Sequence, residues 1–282
     1  MEKNYRAQLV GVFGCPVDEN PTIAMQEAAF RERNLNFRYL TLLVRPQDLE
    51  DAFRGMRAMN FAGINLTVPH KIEALRYVDE QESEVKLIGA TNTVVNEGGR
   101  LIAHNTDGKG FVAGIERNGV TLDGKRITVL GAGGASRAIC VECALAGVRE
   151  IILINRDVDK GEALARLVNE KTECRASFIP WIGTVPIPAC DILINATSVG
   201  LYPDSGRPDI RYEDIGEGMI VQDVIPNPAD TPFLQAARLR GAHTLDGLSM
   251  LVYQGAIGFK LWTGQEAPIE AMKRALEQEN AR

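Results

Sequence analysis

Residues 129–138 read VLGAGGASRA, a glycine-rich turn that decides how the second half of the chain folds. An apolar run over residues 127–130 leads into the turn, and a helical pattern over residues 135–146 follows it. A strand, a glycine turn and a helix in this order are typical of the first crossing of a nucleotide-binding sheet, where backbone N–H groups and the positive end of the helix dipole face a pyrophosphate. A purely structural turn is the alternative, and the strand–turn–helix context argues against it.

The small residues of this turn have distinct expected roles. Gly131 allows the chain to turn tightly, Gly133 lets phosphates approach the backbone, and Ser136 stands where a third glycine or alanine is usual. We predict dinucleotide contacts from Gly131, Gly133, Gly134 and Ala135. Because neither Ser136 nor Ser198 lies in a GxSxG turn, we expect these serines to contact phosphate and nicotinamide rather than to act as nucleophiles.

The residues after the next strand are predicted to meet the adenosine ribose. That strand covers residues 150–154 and ends at Asn155, Arg156 and Asp157, about 20 residues beyond the turn. Arg156 can stack on adenine or pair with a 2′-phosphate, and Lys160 can join it. The Asp157 carboxylate would instead repel that phosphate and accept a bond from a free ribose hydroxyl. NAD and NADP therefore both stay open, with NAD slightly favoured by Asp157.

The first part of the chain alternates strands with helices. We predict strands over residues 9–13, 37–44 and 62–66 and helices over residues 23–33 and 48–59. This pattern favours a mostly parallel sheet with helices on both faces. A second alternation predicts the parallel strands of the nucleotide-binding domain over residues 127–130, 150–154, 191–194, 219–223 and 242–245.

These alternations predict an α/β protein of two domains. A helical segment over residues 108–118 connects the two patterns, and two further helical segments, 248–262 and 268–277, follow the last strand. We expect the final helices to return to the first domain. The boundaries are therefore 1–107, completed by 248–282, for an α/β substrate domain, and 108–247 for the dinucleotide-binding domain.

Composition excludes several classes of partner. The chain has 282 residues and a formal charge of −6, with no cluster of basic residues that would bind nucleic acid or an anionic membrane. No apolar stretch approaches the ~20 residues that span a bilayer, and residues 1–8 lack the apolar core of a signal peptide. We expect a cytoplasmic protein with a small-molecule substrate, as a monomer or a homodimer.

No metal site is expected. Cys140 and Cys143 form a CxxC pair inside the helix after the glycine turn, without further ligands at metal-binding spacing. The three histidines, His70, His104 and His243, are widely dispersed. We expect His70 and His104 to shape the cleft beside Lys71 and Asp107.

Lys71 and Asp107 are the candidates for acid–base chemistry. Lys71 ends the string NLTVPHK after a strand, near Thr67, and Asp107 lies in HNTDGKG after a short apolar run. Strand carboxyl ends are where α/β sheets bind ligands. A solvated surface lysine and a helix-capping aspartate are the alternatives. If the two side chains meet, Asp107 would orient the lysine, and its ammonium would donate to a carbonyl oxygen as hydride arrives.

These strings resemble the shikimate dehydrogenase family, including quinate/shikimate dehydrogenases. NLTVPHK, GATNT (residues 89–93), HNTDGKG, GAGGASRA, NATSVGL, TPFL and DGLSMLVYQGA all match the family's motifs in order. The resemblance implies a substrate domain followed by a Rossmann-like NAD(P)-binding domain. It implies that Lys71 and Asp107 are the catalytic pair of an oxidoreductase that interconverts a ring hydroxyl and a ketone. It further implies that the hydroxyls of a carbocyclic acid contact Thr67, Asn92 and Gln254, and that the cofactor also contacts Thr197, Val224 and Gly247.

The chain departs from the family at two places. Relatives carry G-x-P-I-x-H-S-x-S-P where this chain has GCPVDENPTI, so Asn20 and Thr22 replace the two serines that bind the substrate carboxylate, and Glu19 replaces the histidine. Pro226 stands where relatives have a tyrosine. We infer that carboxylate binding is altered rather than abolished, and that plain shikimate is not the preferred substrate; quinate, another ring acid, or a derivative with a modified carboxylate or an amino group would fit. NADP-dependent relatives usually have threonine at the position of Asp157.

Two other functions stay open. A dinucleotide-bound sensor without efficient chemistry would explain the altered residues 19–22 but would not need Lys71 or Asp107. A folate-linked dehydrogenase of similar build does not account for HNTDGKG and DGLSMLVYQGA.

Overall fold

The computed structural model describes residues 5–280, so residues 1–4 and 281–282 of the predicted substrate domain lie outside the described residues. The described chain forms two compact units. The first unit contains residues 5–106 and 252–280, and the second contains residues 107–251. The predicted α/β class is confirmed, since each unit is built on a six-stranded sheet that contains parallel strands. No helix in the described range is long and apolar enough to cross a bilayer.

Helices and strands alternate along the first 106 residues. In chain order they are β1 (Gln8–Gly14), α1 (Thr22–Glu32), β2 (Phe37–Leu43), α2 (Leu49–Ala58), β3 (Gly63–Leu66), α3 (His70–Glu73), β4 (Glu80–Gln81), α4 (Ser83–Ile88), β5 (Thr93–Glu97) and β6 (Arg100–His104). The three strands and two helices that the sequence predicts here are confirmed within two residues at each end.

The sheet of the first unit has the strand order β2-β1-β3-β5-β6-β4. Strands β1, β2 and β3 are parallel, as predicted, whereas β5 runs antiparallel to both β3 and β6. The β5–β6 hairpin was not predicted. Its turn is Gly98-Gly99, with positive φ at both residues. A Gly-Gly pair between two short runs is a recognised hairpin signal, and it could have revealed these strands.

The second unit begins at the first residue of α5. Its elements are α5 (Asp107–Arg117), β7 (Arg126–Leu130), α6 (Gly134–Leu145), β8 (Glu150–Asn155), α7 (Val158–Lys171), β9 (Arg175–Pro180), β10 (Ile192–Asn195), β11 (Ile220–Asp223), α8 (Pro232–Leu239) and β12 (His243–Leu245). Helices α9 (Leu248–Thr263) and α10 (Ile269–Asn280) follow, and the division between the units falls inside α9.

The sheet of the second unit is parallel throughout, in the order β12-β11-β10-β7-β8-β9. This is the doubly wound arrangement in which the connection reverses direction between β7 and β10, so ligands bind beside the carboxyl ends of these two strands. Buried aliphatic side chains cover both faces: Ile127 and Val129 of β7 pack on one side and Leu130 on the other. The five predicted strands are confirmed, and β9 was missed because its sequence, RASFIP, lacks a continuous apolar run.

Helix α9 packs closely on the sheet of the first unit. The Trp262 indole Nε1 donates to the Val94 carbonyl oxygen at 3.1 Å, and the Phe259 ring stacks on Phe30 of α1 at 5.5 Å between centroids. Gly63 makes this approach possible, because a Cβ atom there would lie 2.2 Å from Trp262 Nε1 and 2.3 Å from the Val94 oxygen.

We expect the Gly63→Ala substitution to destabilise the first unit by about 2 kcal/mol, the usual cost of overpacking a core. The added methyl would displace Trp262 and break its bond to Val94. Gly216→Ala is the matched control, because a Cβ at Gly216 meets nothing within 4 Å. Denaturant unfolding of both variants measures the effect, and equal stabilities would show that the packing of Trp262 does not depend on Gly63.

Candidate functional site

A network of buried polar side chains occupies the carboxyl end of β3 in the first unit. Tyr39 Oη donates to Asn65 Oδ1 at 2.8 Å, and Asn65 Nδ2 donates to the Asn92 carbonyl oxygen at 3.1 Å and to Thr93 Oγ1 at 2.9 Å. Burial raises the pKa of Tyr39 well above its usual value, and a hydrogen bond from Thr22 opposes that shift. Buried polar groups of this kind persist only when they are paired, so the network fixes the geometry of the strand ends.

Asn92 and Gln254 meet in the same network. Asn92 Oδ1 accepts from the Thr106 backbone N–H at 2.7 Å, and Asn92 Nδ2 donates to Thr106 Oγ1 at 2.9 Å and to Gln254 Oε1 at 3.3 Å. Both side chains are buried. The structure therefore brings together Asn92 and Gln254, which the sequence predicts to bind the substrate. Thr93 and Thr106, which complete the network, were not named.

Lys71 lies at the edge of this network, half-buried in the short helix α3. Its carbonyl oxygen accepts from the Thr91 backbone N–H at 2.8 Å. Thr67 is half-buried, and its backbone N–H donates to the Phe13 carbonyl at 3.0 Å. His70 is fully buried and bonds through Nε2 to the Val44 carbonyl oxygen at 2.7 Å, so its role is to hold α3 in place.

Asn20 and Thr22 lie at the start of α1. Asn20 Oδ1 accepts from the Thr22 backbone N–H at 3.0 Å, and the Thr22 side chain is buried. The amide oxygen of Asn20 is thus already engaged within the protein, and little of Thr22 is exposed. Asp18 and Glu19 are exposed on the surface of the first unit, so their charges are screened by solvent.

Asp107 is the first residue of α5 and begins the second unit. It is 6% exposed. Asp107 is therefore not a capping residue that precedes the helix. It lies in the first turn of α5, where the helix dipole stabilises a carboxylate. The following Gly108 is required by packing, because a Cβ there would lie 2.3 Å from the Ala138 carbonyl oxygen of α6.

The glycine turn has the geometry expected of a pyrophosphate site. Gly131 has φ +106°, and a Cβ there would lie 2.9 Å from the Ala196 carbonyl oxygen. Gly133 precedes α6 without a side-chain cap, and a Cβ there would meet no atom within 4 Å. An uncapped helix N-terminus beside open space is suited to an anion. Ser136 is buried and its hydroxyl donates to the Gly131 carbonyl at 2.6 Å, so the expected phosphate contact of this hydroxyl is wrong.

A pocket of about 730 Å³ opens beside this turn in the second unit. Its lining includes eight residues that the sequence predicts to contact the cofactor: Gly131, Gly133, Asn155, Arg156, Asp157, Lys160, Thr197 and Ser198. Its lining also includes Trp181, Gly183, Arg207, Pro208 and Asp209, for which the sequence carried no motif. Gly134 and Ala135 form the first residues of α6. Gly247 is buried against the backbone of Val224 and Ile225, since a Cβ there would lie 2.4 Å from the Ile225 oxygen.

Asp157 is engaged at the start of α7. It caps this helix, with Oδ1 accepting from the Lys160 backbone N–H at 3.1 Å, and its Oδ2 lies 3.0 Å from Lys160 Nζ. These hydrogen bonds lower the pKa of the carboxyl, chiefly through the Lys160 side chain. The Asp157 carboxylate, on which the predicted preference for NAD rests, is thus engaged by both the backbone and the side chain of Lys160.

A buried carboxyl group lies at the end of β11 in the second unit. Asp223 accepts from Asn195 Nδ2 at 3.1 Å, from Thr231 Oγ1 at 2.7 Å and from the Ile225 backbone N–H at 3.1 Å. Asn195 Oδ1 in turn accepts from the Thr197 hydroxyl at 2.7 Å. Burial raises the pKa of Asp223 to about 6, against the opposing effect of these hydrogen bonds. Asp223 therefore positions Thr197 through Asn195.

We expect Asp223 to make stability fall as pH rises. Its folded-state pKa of about 6 lies above the unfolded value of about 3.9, so its stabilising contribution is present below pH 4 and is lost between about pH 4 and 6. The difference amounts to about 3 kcal/mol. Urea unfolding of wild type and Asp223→Asn between pH 4 and 7.5 checks this, because the variant lacks the titration. A constant difference between the two proteins would contradict the raised pKa.

Within residues 5–280, no group of three or more His, Cys, Asp or Glu side chains is arranged to hold a metal ion. Cys140 and Cys143 are buried free thiols in α6, and burial raises the pKa of Cys140 to about 12.

Models of three protein domains match most of the chain. The shikimate dehydrogenase substrate binding domain matches residues 12–94, shikimate / quinate 5-dehydrogenase matches residues 115–202, and the shikimate 5′-dehydrogenase C-terminal domain matches residues 247–277. The chain is 40% identical over 284 residues to the shikimate dehydrogenase (NADP(+)) of Desulforamulus reducens, with 99% of this chain and 98% of the relative covered.

Two solved structures share the fold along their whole length. The 5-ketofructose reductase of Gluconobacter sp. strain CHM43 is 43% identical, with a TM-score of 0.91 and coverage of 98% of this chain and 100% of that chain. A shikimate dehydrogenase in complex with NADP+ is 39% identical, with a TM-score of 0.92 and coverage of 99% and 98%.

Proposed function

Because the chain belongs to the shikimate dehydrogenase family, we propose that it is an NAD(P)-dependent oxidoreductase that interconverts a ring hydroxyl and a ketone of a shikimate- or quinate-type acid. In this proposal residues 1–107, completed by 248–282, bind the substrate, and residues 108–247 bind the cofactor. The five free cysteines and the use of a nicotinamide cofactor fit a cytoplasmic protein, either a monomer or a homodimer.

The observation that carries the proposal is the buried network around Asn92. It is linked by hydrogen bonds to Lys71 through the neighbouring Thr91 and to Thr106, the residue before Asp107. Lys71 is therefore separated from Asn92 by one backbone hydrogen bond and one peptide bond. A network that orders Lys71 near a buried polar amide pair, Asn92 and Gln254, suits a polyhydroxylated ligand.

The proposed chemistry assigns one task to each residue. When bound, the nicotinamide supplies a hydride to the carbonyl carbon or removes one from the alcohol carbon. In reduction, the Lys71 ammonium donates its proton to the carbonyl oxygen as that oxygen gains charge, and solvent then reprotonates the amine. In oxidation, Lys71 accepts the hydroxyl proton. Asp107 keeps the lysine oriented, while Thr67, Asn92 and Gln254 bind the remaining hydroxyls.

The residues that would hold the cofactor line the pocket of the second unit. The open N-terminus of α6 at Gly133, together with Gly131, Gly134 and Ala135, would bind the pyrophosphate. Asn155 and Arg156 would contact the adenosine, and Thr197, Val224 and Gly247 the nicotinamide half.

A second candidate substrate is an uncharged polyhydroxylated ketone, as in the related 5-ketofructose reductase. The specific observation that favours it is the altered carboxylate anchor at the start of α1. Asn20 uses its amide oxygen on the Thr22 backbone N–H, and Thr22 is buried. An amide N–H₂ and a buried threonine therefore stand where relatives have two serine hydroxyls for a carboxylate, whereas a neutral substrate needs no such anchor.

We expect Lys71→Ala to lower kcat about 10³-fold, within the range typical of a lost general acid–base group. Cofactor affinity should not change, because the pocket for the cofactor lies in the second unit. Absorbance at 340 nm measures turnover, and calorimetry measures cofactor binding. Lys86→Ala, an exposed lysine of α4, is the control. Retained activity in Lys71→Ala would remove the lysine from the mechanism and favour a sensor, or an enzyme with a different proton donor.

We expect Asn20→Ser to raise kcat/KM for shikimate about tenfold. The serine would restore one charge-assisted hydrogen bond to the carboxylate, and such a bond contributes about 1.4 kcal/mol, which corresponds to a factor of about ten. Thr22→Ser, which keeps the hydroxyl, is the matched control. The assay compares shikimate, quinate, shikimate methyl ester and 5-ketofructose in wild type and both variants.

Preference of the wild type for quinate or shikimate would support the ring-acid proposal, and preference for the ester or 5-ketofructose would support the second candidate. Wild-type turnover of shikimate with micromolar KM and no gain in Asn20→Ser would contradict the inferred change in carboxylate binding.

A further inference from the structure

One wall of the cofactor pocket is formed by Trp181, Arg207 and Asp209, which lie outside every recognised motif of this chain. The lining also contains the glycine turn and the residues that follow β8. Two arginines therefore line the pocket, Arg156 and Arg207. The position of Arg207 along the pocket decides which part of a dinucleotide it meets.

The strand order places this wall at the adenosine end. In the sheet, β7 carries the glycine turn, β8 is its neighbour and β9 is the next strand, so the distance from the turn to the end of β9 is about two strand spacings, roughly 10 Å. Trp181 follows β9 directly, and its backbone N–H donates to the Asn155 carbonyl oxygen at 2.9 Å. Trp181 is thus adjacent to the predicted ribose-binding residues and away from the pyrophosphate turn.

Hydrogen bonds hold the segment with Arg207 against Trp181. The indole Nε1 of Trp181 donates to the Asp209 carbonyl oxygen at 3.0 Å, and the Arg211 backbone N–H donates to the Val185 carbonyl at 2.8 Å. The Arg207 guanidinium lies over the Tyr212 ring, 4.5 Å from its centroid. The segment that follows Arg207 is therefore held beside Trp181, and the Arg207 guanidinium itself is held over Tyr212 by a cation–π contact.

The charges around this end leave the arginines available. The Asp157 carboxylate is engaged by Lys160, and Asp209 Oδ1 accepts from the Thr184 hydroxyl at 2.7 Å. In the part of the chain that the structure describes, neither Arg156 nor Arg207 forms an ion pair. Two guanidinium groups that line one pocket without carboxylate partners are suited to a phosphate monoester.

We infer that Arg207 binds the 2′-phosphate of NADP together with Arg156 and that it makes the site select NADP over NAD. This inference rests on the proposed function only in that the second unit binds a nicotinamide dinucleotide. It replaces the preference for NAD that Asp157 indicated, because that carboxylate is satisfied by α7.

The test is calorimetric binding of 2′,5′-ADP and 5′-AMP, which differ only in the 2′-phosphate, to the full chain. Arg207→Met keeps the aliphatic stem on Tyr212 and removes the charge. We expect it to weaken 2′,5′-ADP binding about tenfold, as for one lost charge-assisted hydrogen bond, and to change 5′-AMP binding less than about twofold. Arg211→Met is the matched control, because Arg211 lies in the same segment but pairs with Asp214.

Equal losses for both nucleotides would overturn the inference, since they would show that Arg207 only supports the pocket wall. An unchanged affinity for 2′,5′-ADP, or tighter binding of 5′-AMP by the wild type, would overturn it as well while leaving the proposed reaction intact. If the wild type bound neither nucleotide and neither dinucleotide, the proposed function itself would fail. Turnover with NADH and NADPH separates these cases.

Discussion

The side-chain amide of Asn92 uses its oxygen and its nitrogen at the same time, and the geometry of the first unit depends on both. Its oxygen accepts from the Thr106 backbone, while its nitrogen donates to Thr106 Oγ1 and Gln254 Oε1. A buried amide that lost these partners would be strongly destabilising, so the start of β5, the end of β6 and helix α9 are held in one arrangement. Lys71 is ordered by Thr91, which directly precedes Asn92 in the chain.

Periodicity predicted most of the strands and helices because each is an apolar run or an amphipathic segment that carries its own signal. The exceptions are informative. Strand β9 alternates exposed and half-buried residues at the edge of its sheet, so it has no buried run to detect. The β5–β6 hairpin depends on a Gly-Gly turn whose meaning is clear only once β5 has been recognised as a strand. The places of β9 and of this hairpin are determined by pairing rather than by composition. Strand β4 and helices α3, α4, α7 and α8 were also not predicted.

The site was predicted in part for a similar reason. Residues next to a motif, such as Gly131 and Asn92, could be named because the motif fixes their local geometry. Tyr39 and Asp223 could not be named, because their importance arises from partners far along the chain: Tyr39 bonds to Asn65, and Asp223 bonds to Asn195. The same holds for Trp181 and Arg207, which reach the cofactor pocket only through a loop held by backbone hydrogen bonds.

The residues proposed for reaction chemistry and those proposed for substrate selection lie in different segments of this chain. The proposed acid–base residues belong to α3 and to the start of α5, and Lys71 of α3 is ordered by Thr91, the residue before Asn92. The carboxylate anchor of the family belongs to the loop before α1, where Asn20 Oδ1 accepts from the Thr22 backbone N–H and Thr22 is buried. The hydrogen bonds of the Asn92 side chain go to Thr106 and Gln254 and involve no residue of this loop. The loop could therefore diverge, and the substrate with it, while the oxidation and reduction of a secondary alcohol stayed the same.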